Sequence, residues 1–527
     1  MDLQPVLIAG SWRGTLTPGS SFRALNPASR SPLAEAYPVS SLDELEQALA
    51  AAQEAIVELR DVSPDRLADF LEGYAESIEA RAEEVVAMAH QETALAREPR
   101  LRSVELPRTT DQLRQAAAAA RDCSWRQATI DTQRNIRSIY GPLGGAVVSF
   151  GPNNFPFAFN AVAGGDFAAA IAAGNPVIAK AHPGHPGTTR ILAEAAHEAL
   201  RQSGLPLSLV QMFYHTQPEN GLKLVRHPLV GAVAFTGSRQ AGLRLKAAAD
   251  RAGKPIYLEM SSINPVFILP GALEERLEAI ADDFFGSCTL AAGQFCTNPG
   301  LVILKQDERS EAFVAAVSRR LDGAAAGVLF SEGGPRHLAQ AIATWQGHGA
   351  EVLVGGYAVE ADGYGFANTL ARVPDEVFLA NASGLQSEAF GTASLFVLAR
   401  DGAKMAEIAG ALEGNLTASI YSGRQGQDDA LYDALAPLLR PKVGRLLNDK
   451  MPTGVAVSPA MVHGGPFPAT GHPGFTAVGI PASLRRFTAL HGYDNVRPHR
   501  LPVELRDANP TGQMWRFIDG AWTQRDA

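Results

Sequence analysis

Cysteine, positive charge and long apolar runs are all scarce in this sequence. Three cysteines in 527 residues cannot build a disulfide framework, and we therefore expect a reducing compartment. Lys and Arg number 46 against 55 Asp and Glu, for a formal net charge of −9. Such a balance supplies no field for phosphate backbones, which argues against nucleic-acid binding.

No stretch of the chain is suited to crossing a membrane. The most apolar segment, residues 144–180, is interrupted by Pro152, Pro156, Asp166 and Pro176, which is too often for a membrane span. The first residues, MDLQPVLIAGSW, lack both a basic region and a long apolar region, so we predict no signal peptide. These absences predict a soluble, cytoplasmic protein with no membrane partner.

The sequence does contain ample apolar material in an alternating order. Hydrophobic residues make up 46% of the chain, which is enough for a large core. Alanine-rich helical segments alternate with short apolar runs: GAVVSF at 145–150, NPVIA at 175–179 and GAVAF at 231–235. This alternation is typical of an α/β fold with parallel sheets. The pattern restarts after Asn264 with a predicted helix at 273–292, which indicates a second α/β domain.

Cys296 is the first candidate for chemistry. It lies in GQFCTNPG at 293–300, between a predicted helix and a predicted strand. Glycines on both sides would let the backbone approach a ligand closely, as a nucleophile with an oxyanion hole requires. A buried structural cysteine is the alternative, and it is the interpretation that we adopt for Cys123 and Cys288.

Three polar residues follow predicted strands, where the ligand sites of parallel sheets gather. Glu259 ends the strand IYLE, Asn154 lies in the loop after GAVVSF, and Lys180 follows NPVIA. Their ordinary alternatives are a capping carboxylate, an Asx turn and a solvated lysine.

The segment GSRQAG, from Gly237 through Ser238 to Gly242, follows a strand and opens a helix. Free amides and the positive end of the helix dipole could hold a phosphate there. A plain strand-to-helix turn is the alternative, because the segment lacks the three-glycine dinucleotide fingerprint.

The order of these segments resembles that of the aldehyde dehydrogenase superfamily. The resemblance runs from about Ser20 to Tyr493 and rests on GPNNFP at 151–156, FTGS at 235–238, LE at 258–259, GQFC at 293–296 and EAFG at 388–391. A finer similarity, to the α-ketoglutaric semialdehyde (2,5-dioxovalerate) dehydrogenases and the related NADP-dependent fatty aldehyde dehydrogenases of bacteria, rests on EMSSINPVF at 259–267, KAHP at 180–183 and HGGPFPAT at 463–470.

The resemblance implies an α/β fold with a Rossmann-like cofactor domain, an α/β catalytic domain and a β-arm for oligomerisation. We assign residues 1–124 and 144–262 to the cofactor domain and residues 263–474 to the catalytic domain. The arm takes 125–143 and 475–490, and 491–527 form a C-terminal tail. The implied assembly is a homodimer or homotetramer with arms paired across the dimer.

The resemblance also implies roles for single residues. Cys296 would attack an aldehyde and pass through a thiohemiacetal to a thioester, while Asn154 and the Cys296 backbone N–H hold the oxyanion. Glu259 would be the general base for hydrolysis. Lys180 would contact the adenosine ribose and Glu388 the nicotinamide ribose. The full set of implied cofactor-binding residues is Lys180, His182, Gly237, Ser238, Gly242, Glu388 and Phe390, and no metal is implied.

The cofactor implied by this branch is NADP. In NAD-preferring relatives an acid three residues after the lysine repels a 2′-phosphate, whereas here that position is Pro183, with His182 beside it. No negative charge opposes the 2′-phosphate, so we expect NADP to be preferred and NAD also to be accepted.

The substrate implied by the branch is 2,5-dioxopentanoate, which is oxidised to 2-oxoglutarate; the alternative is an aliphatic or fatty aldehyde. Phe155 and Phe159 are candidates for a substrate tunnel, with ordinary core packing as the alternative. His463 is a candidate near the mouth of the site, with a structural role as the alternative. The cation that would meet a distal carboxylate is not predicted, because arginines are spread along the whole chain.

Three other classes of function compete with this one. A cysteine hydrolase without redox chemistry is the weakest, since no His is placed next to Cys296 in any recognisable motif. A CoA-acylating dehydrogenase forms the same thioester but generally lacks the glutamate base, so Glu259 argues against it. A non-catalytic protein that keeps the fold is the third class. The presence of Cys296, Glu259 and Asn154 together argues against that interpretation.

Overall fold

The computed structural model describes residues 3–16, 19–360 and 362–527. Within these ranges the helices are α1 Leu42–Glu58, α2 Pro64–Ala80, α3 Ala82–Thr93, α4 Leu106–Asp122, α5 Gly165–Ala172, α6 Pro186–Ser203, α7 Pro218–Arg226, α8 Arg239–Arg251, α9 Pro270–Thr289, α10 Glu308–Asp322, α11 Gly333–Gly347, α12 Asp375–Ala380, α13 Ala382–Leu385, α14 Gly402–Ala411 and α15 Asp429–Leu439.

The strands in the same ranges are β1 Val6–Ile8, β2 Ser11–Arg13, β3 Ser21–Phe22, β4 Leu25–Asn26, β5 Ser31–Pro32, β6 Tyr37–Ser40, β7 Thr129–Asp131, β8 Ile136–Pro142, β9 Ala146–Phe150, β10 Val177–Lys180, β11 Val210–Phe213, β12 His215–Thr216, β13 Val230–Thr236 and β14 Ile256–Glu259. They continue with β15 Val266–Ile268, β16 Leu301–Lys305, β17 Val328–Leu329, β18 Glu351–Val354, β19 Ala358–Val359, β20 Tyr364–Phe366, β21 Thr369–Pro374, β22 Ala393–Ala399, β23 Asn415–Tyr421, β24 Val443–Asn448, β25 Thr488–Asp494, β26 Arg516–Ile518 and β27 Ala521–Thr523.

The first large sheet has seven strands in the order β14-β13-β9-β10-β11-β1-β2. From β14 to β11 neighbouring strands are parallel, and β1 adds to β11 in the antiparallel direction. The chain moves outward from β9 through β10 to β11 and then crosses to β13 on the other side of β9. A doubly wound sheet binds ligands at such a reversal of strand order. The loops after β9 and β13 therefore flank the expected crevice.

The helices of this half begin where the sequence supplies a cap. Ser41 and Glu44 form the predicted capping box of α1, since each side chain is bonded to the other residue's backbone amide. The helix α6 begins at Pro186, whose missing N–H costs nothing at a first helical position. It ends before Gly204, which has a φ of 65°.

The second large sheet also has seven strands, in the order β18-β21-β22-β16-β15-β23-β24. Its central strands β22 and β23 are buried along their whole length, as expected of a parallel sheet covered on both faces. The predicted helix 273–292 is displaced: α9 begins at Pro270 and ends at Thr289. It stops early because Ala291 and Ala292 have φ values of 49° and 55°, outside the helical region.

The predicted arm forms a separate sheet with the order β25-β8-β7-β26-β27. Its strand β25 pairs with β8 as far as Asp494, beyond the predicted arm boundary at residue 490. The tail is part of this sheet, because β26 pairs with β7. Leu501, Leu505 and Met514 of the tail are buried in a small core with residues of the arm. The tail thus widens the arm.

The two large sheets are joined at the end of β14. The Met260 N–H donates to the Ala469 carbonyl over 2.8 Å, and Glu259 forms an antiparallel bridge with Thr470. The segment 463–475, which follows the second sheet in the chain, therefore adds to the carboxyl end of the first sheet. Among the described residues, none of the helices combines the length and apolarity that crossing a bilayer needs.

Candidate active site

Cys296 lies on a loop whose shape is set by an unusual backbone. Ala291, Ala292 and Gly293 all have positive φ, at 49°, 55° and 70°, a conformation that costs energy for alanine. A side chain at Gly293 would lie 2.2 Å from the backbone of Gly391, so only glycine fits there. This turn places the half-buried Cys296 against the segment that contains Gly391.

Asn264 fixes the loop from the other side. Its amide nitrogen Nδ2 donates to the carbonyl oxygens of Cys296 and Asn298, each over 2.9 Å. Its Oδ1 accepts from the hydroxyls of Ser262 and Thr417 over 2.9 and 3.1 Å. Asn264 is fully buried and both ends of its side-chain amide are bonded, which restrains the position of the Cys296 backbone.

Cys296, His463 and Glu259 meet in a buried cluster. The Sγ atom of Cys296 lies 3.4 Å from His463 Nε2, and the same Nε2 lies 2.9 Å from Glu259 Oε1. The side chains of His463 and Glu259 are 0% and 2% exposed. All three ligand-type atoms fall within 4.8 Å of one another, a spacing at which an added metal ion could also bind.

The hydrogen bond to Glu259 assigns the proton on His463. A carboxylate 2.9 Å from Nε2 accepts from that nitrogen, so Nε2 carries the proton. It is therefore Glu259, and not His463, that can accept a proton from the Cys296 thiol in this arrangement. Glu259 Oε2 is buried without a hydrogen-bond partner among the described residues, which leaves an acceptor position open.

Burial, followed by the negative charge of Glu259, raises the pKa of Cys296 well above its ordinary value. Opposing this, the positive charges of Arg108 and Arg445 lower the pKa of Cys296. Burial is the larger effect, and the thiol form therefore prevails at neutral pH. A base must remove its proton before Cys296 can act as a nucleophile.

Asn154 lies beside the Cys296 loop as predicted. Its Nδ2 donates to the Gln294 carbonyl over 3.1 Å, which leaves the second amide hydrogen for a ligand. The backbone of its loop is held by a buried ion pair: Arg100 contacts Glu105 and donates to the Asn154 carbonyl over 2.9 Å. Glu105 also accepts the N–H groups of residues 157 and 158 over 2.9 and 3.0 Å.

Phe155 and Phe159 form an aromatic wall next to the cluster. Their rings meet edge to face at 5.2 Å, and Phe155 meets Phe295 in the same way at 5.3 Å. The Phe159 ring lies 5.6 Å from the ring of His463. Phe155 and Phe159 are therefore packed in the core and also lie next to the site.

Lys180 and His182 lie at the carboxyl end of β10, away from Cys296. Burial lowers the pKa of Lys180 to about 8. Burial and the nearby charges of His185, Lys180 and His215 lower the pKa of His182 well below its ordinary value. No acidic side chain is among the causes of either shift.

The predicted turn after β13 has the geometry of a helix N-terminus. Ser238 is the N-cap of α8 and its hydroxyl accepts from the Ala241 N–H over 3.3 Å. Side chains at Gly237 and Gly242 would collide with the Phe235 ring and Met260, at 2.8 and 3.0 Å. Both positions therefore require glycine, and the amides at the start of α8 follow the carboxyl end of β13.

Glu388 and Phe390 lie on the opposite side of the Cys296 loop, where both border a pocket that also includes Phe295 and Ser262. Burial raises the pKa of Glu388 to about 7, and hydrogen bonds from Ser261 and Ser262 work against this. An adjoining cavity of about 220 Å³ is lined by Arg239, Ser261 and Glu388. The structure thus connects the start of α8 with Glu388 through open space.

The structure adds residues that the sequence did not single out. Asn264 holds the Cys296 loop, and its signal was its place in the motif EMSSINP at 259–265. Glu105 and Arg100 shape the loop of Asn154, while Arg108 and Arg445 act on the Cys296 thiol. No local pattern marks these charged residues, because their partners come from distant segments.

Known proteins resemble this chain in both sequence and fold. A sequence profile described as the aldehyde dehydrogenase family matches residues 14–435. "Alpha-ketoglutaric semialdehyde dehydrogenase 2" of Azospirillum brasilense is 39% identical over 97% of this chain and 97% of its own. "Alpha-ketoglutaric semialdehyde dehydrogenase" of Acinetobacter baylyi is 35% identical over 96% of each chain.

A solved structure matches the fold as well. The 1-pyrroline-5-carboxylate dehydrogenase from Thermus, with bound NAD, superposes with a TM-score of 0.80 over 93% of this chain and 92% of its own. Its sequence identity is 24%, so this likeness shows the fold alone.

The effect of Glu259 on the Cys296 thiol is testable without any substrate. We expect Glu259→Gln to accelerate alkylation of Cys296 by iodoacetamide at neutral pH, because removing the negative charge lowers the thiol pKa. A fall of about one pKa unit corresponds to a roughly tenfold faster reaction. Mass spectrometry of the modified peptide gives the rate.

Glu376→Gln, an exposed carboxylate on α12, is the matched control and should leave the rate unchanged. Burial raises the pKa of both Cys123 and Cys288, that of Cys123 to about 11, so both should stay unmodified. Slower or unchanged labelling of Cys296 in Glu259→Gln would contradict the conclusion that the negative charge of Glu259 raises the thiol pKa.

Proposed function

The chain belongs to the aldehyde dehydrogenase family, and from this premise we propose that it oxidises 2,5-dioxopentanoate to 2-oxoglutarate with NADP. The observation that carries the proposal is the buried cluster of Cys296, His463 and Glu259 with the Asn154 amide beside it. The substrate is suggested by the two relatives named as α-ketoglutaric semialdehyde dehydrogenases, which match the chain over nearly its full length.

The first step uses Glu259 as a base on the thiol. Glu259 accepts the proton of Cys296, and the thiolate adds to the aldehyde carbon to form a thiohemiacetal. His463 holds the Glu259 carboxylate in reach of the sulfur through its Nε2–H. The free hydrogen of the Asn154 amide and the Cys296 backbone N–H stabilise the negative charge that develops on the aldehyde oxygen.

Bound NADP supplies the acceptor for the hydride that the thiohemiacetal carbon loses, and a thioester on Cys296 remains. The residues fit this cofactor: the amides at the start of α8 face the crevice at the reversal of strand order, where a pyrophosphate is favoured. Lys180 lies at the end of the neighbouring strand β10. Glu388 and Arg239, the first residue of α8, border the same cavity.

The last step uses Glu259 again. After it has released the first proton to solvent, Glu259 accepts a proton from a water that attacks the thioester. The products are the carboxylic acid and the free thiol of Cys296. Such a cycle requires a reduced cysteine, which suits the reducing, cytoplasmic compartment that we propose.

The preference for NADP rests on the surroundings of Lys180. A 2′-phosphate carries negative charge, and the groups that act on Lys180 and His182 are histidines and a lysine without a carboxylate. Pro183 takes the place where an acid would repel that phosphate. The charge pattern therefore favours NADP and leaves NAD as the weaker cofactor.

We also propose that the chain assembles as a homodimer or homotetramer through its arm. Large apolar side chains of the arm sheet and its tail are exposed: Ile136, Leu490, Trp515 and Trp522 are 43%, 63%, 48% and 51% exposed. Exposed apolar residues gathered on one sheet favour contact with a second copy.

An aldehyde panel tests the reaction. With NADP, we expect 2,5-dioxopentanoate to give the highest kcat/KM among acidic, aliphatic and long-chain aldehydes, measured by NADPH absorbance. Cys296→Ala should abolish NADPH formation, and EDTA should leave it unchanged, since no step needs a metal. Higher kcat/KM for long-chain aldehydes would favour the fatty aldehyde alternative, and acyl-CoA formation on addition of CoA would contradict hydrolysis.

The double use of Glu259 predicts how Glu259→Gln fails. The substitution removes the base of the first step but also removes the negative charge that raises the pKa of Cys296, so we expect hydrolysis to be slowed more than thiohemiacetal formation and the thioester to accumulate. We expect a burst of NADPH equal to the enzyme present, followed by a steady rate lower by about 100- to 10,000-fold. Stopped-flow absorbance separates the two phases. Absence of a burst, with a normal fold by circular dichroism, would place the essential role of Glu259 before hydride loss.

Pro183→Glu tests the cofactor assignment. The new carboxylate should lower kcat/KM for NADP by about tenfold or more through charge repulsion, while kcat/KM for NAD changes little. Pro183→Gln is the uncharged control and should keep the preference for NADP. A wild-type enzyme with a higher kcat/KM for NAD than for NADP would overturn the assignment.

A further inference from the structure

Two nitrogen atoms of the Arg108 guanidinium, Nε and Nη2, are buried without a hydrogen-bond partner among the described residues. An unsatisfied buried polar group costs free energy, and a charged one costs more. Arg108 lies on α4 despite this cost. Its unbonded nitrogen atoms therefore indicate a ligand that is not part of the folded chain.

The guanidinium lies over the aromatic wall beside Cys296. Its central carbon is 5.0 Å from the ring centre of Phe159 and 5.4 Å from that of Phe155. The Phe159 ring packs in turn on His463, which contacts Cys296. Arg108 is also near enough to the cluster for the charges of Cys296 and Glu259 to act on it.

The acidic groups near Arg108 are engaged elsewhere. Glu105 forms an ion pair with Arg100 and accepts two backbone amides. Glu259 is bonded to His463. Burial lowers the pKa of Arg108 to about 10, so the guanidinium remains charged at neutral pH. The Arg108 guanidinium is thus a positive charge beside the site without a counter-ion among the described residues.

A second arginine lies near the cluster but is better satisfied. Arg445 donates from Nη2 to the Gly454 carbonyl over 3.4 Å, and only its Nε is buried without a partner. Among the described residues, no aromatic ring lies under its guanidinium. Arg108 is therefore the stronger candidate for a ligand.

We propose that Arg108 binds the carboxylate of the substrate and selects short aldehydes that carry a carboxylate a few carbons from the carbonyl. This inference rests on the proposed aldehyde oxidation at Cys296. It identifies the residue that binds the carboxylate at the end of the substrate opposite the aldehyde. The planar guanidinium matches a carboxylate with two parallel N–H···O bonds. The aromatic rings beneath it hold the group in place and exclude water.

The same feature discriminates against neutral aldehydes. A long apolar chain in this position would leave the guanidinium buried and unpaired, and a site built to bond a polar group rejects an analogue that lacks the group. Arg108 accordingly accounts for selectivity toward an acidic semialdehyde in a site whose walls are otherwise aromatic.

Arg108→Met tests the proposal, because methionine keeps an apolar stem over the rings and removes the charge. We expect kcat/KM for 2,5-dioxopentanoate to fall by about 100-fold, mainly through KM. With pentanal it should stay unchanged or rise. Arg108→Lys should restore part of the loss, since it returns the charge without the fork. Arg114→Gln, on the exposed face of the same helix, is the control.

A second readout does not depend on turnover. Glutarate should protect Cys296 of the wild-type protein from iodoacetamide, and Arg108→Met should lose that protection relative to its own unprotected rate. Arg445→Met should keep it. If the wild type oxidised no aldehyde, the proposed function would fail while this protection still reported on Arg108.

Three results would overturn the inference: an equal fall of kcat/KM for the acidic and the neutral aldehyde, no fall for either, or loss of glutarate protection in Arg445→Met but not in Arg108→Met. Arg108→Gln serves as the second variant if Arg108→Met does not fold, as judged by circular dichroism.

Discussion

The hydrogen bond between Glu259 and His463 is the contact on which the site depends. Glu259 ends the strand β14 of the first sheet, and His463 comes from the segment that follows the second sheet. A carboxylate that is 2% exposed is costly unless it is bonded, so the two sheets are stabilised in the one arrangement that satisfies it. The bridge between Glu259 and Thr470 fixes the same junction through the backbone.

Burial of this cluster has two opposing effects on reactivity. It raises the pKa of Cys296, which keeps the sulfur in its less reactive form when no substrate is present. The same dry surroundings strengthen every charged hydrogen bond once one forms. A thiol that is weakly nucleophilic at rest and is activated by an adjacent base therefore follows from the burial of Cys296 between the two large sheets.

The sequence predicted those residues of the site that belong to short local motifs. Cys296, Glu259 and Asn154 stand in short motifs at strand ends, and the strands themselves were visible as apolar runs. Helix ends were less accurate, since the positive φ of Ala291 and Ala292 has no signature in alanine. Arg108 and Asn264 were not predicted, because their roles depend on groups from distant segments that surround them in the fold. The sequence does not show whether an arginine has a hydrogen-bond partner.

The charges near Cys296 explain why an orphaned arginine suits this reaction. The substrate brings one carboxylate, which pairs with Arg108, and oxidation creates a second carboxylate next to Glu259. Two like charges in a buried site repel each other strongly, so the product is held at one end and repelled at the other. The repulsion arises only after chemistry, and it therefore favours release of the acid without weakening capture of the aldehyde. A neutral aldehyde would form no ion pair with Arg108 on binding and would leave the guanidinium unpaired throughout the reaction. The charges of Arg108 and Glu259 thus act on substrate selection and on product release, respectively.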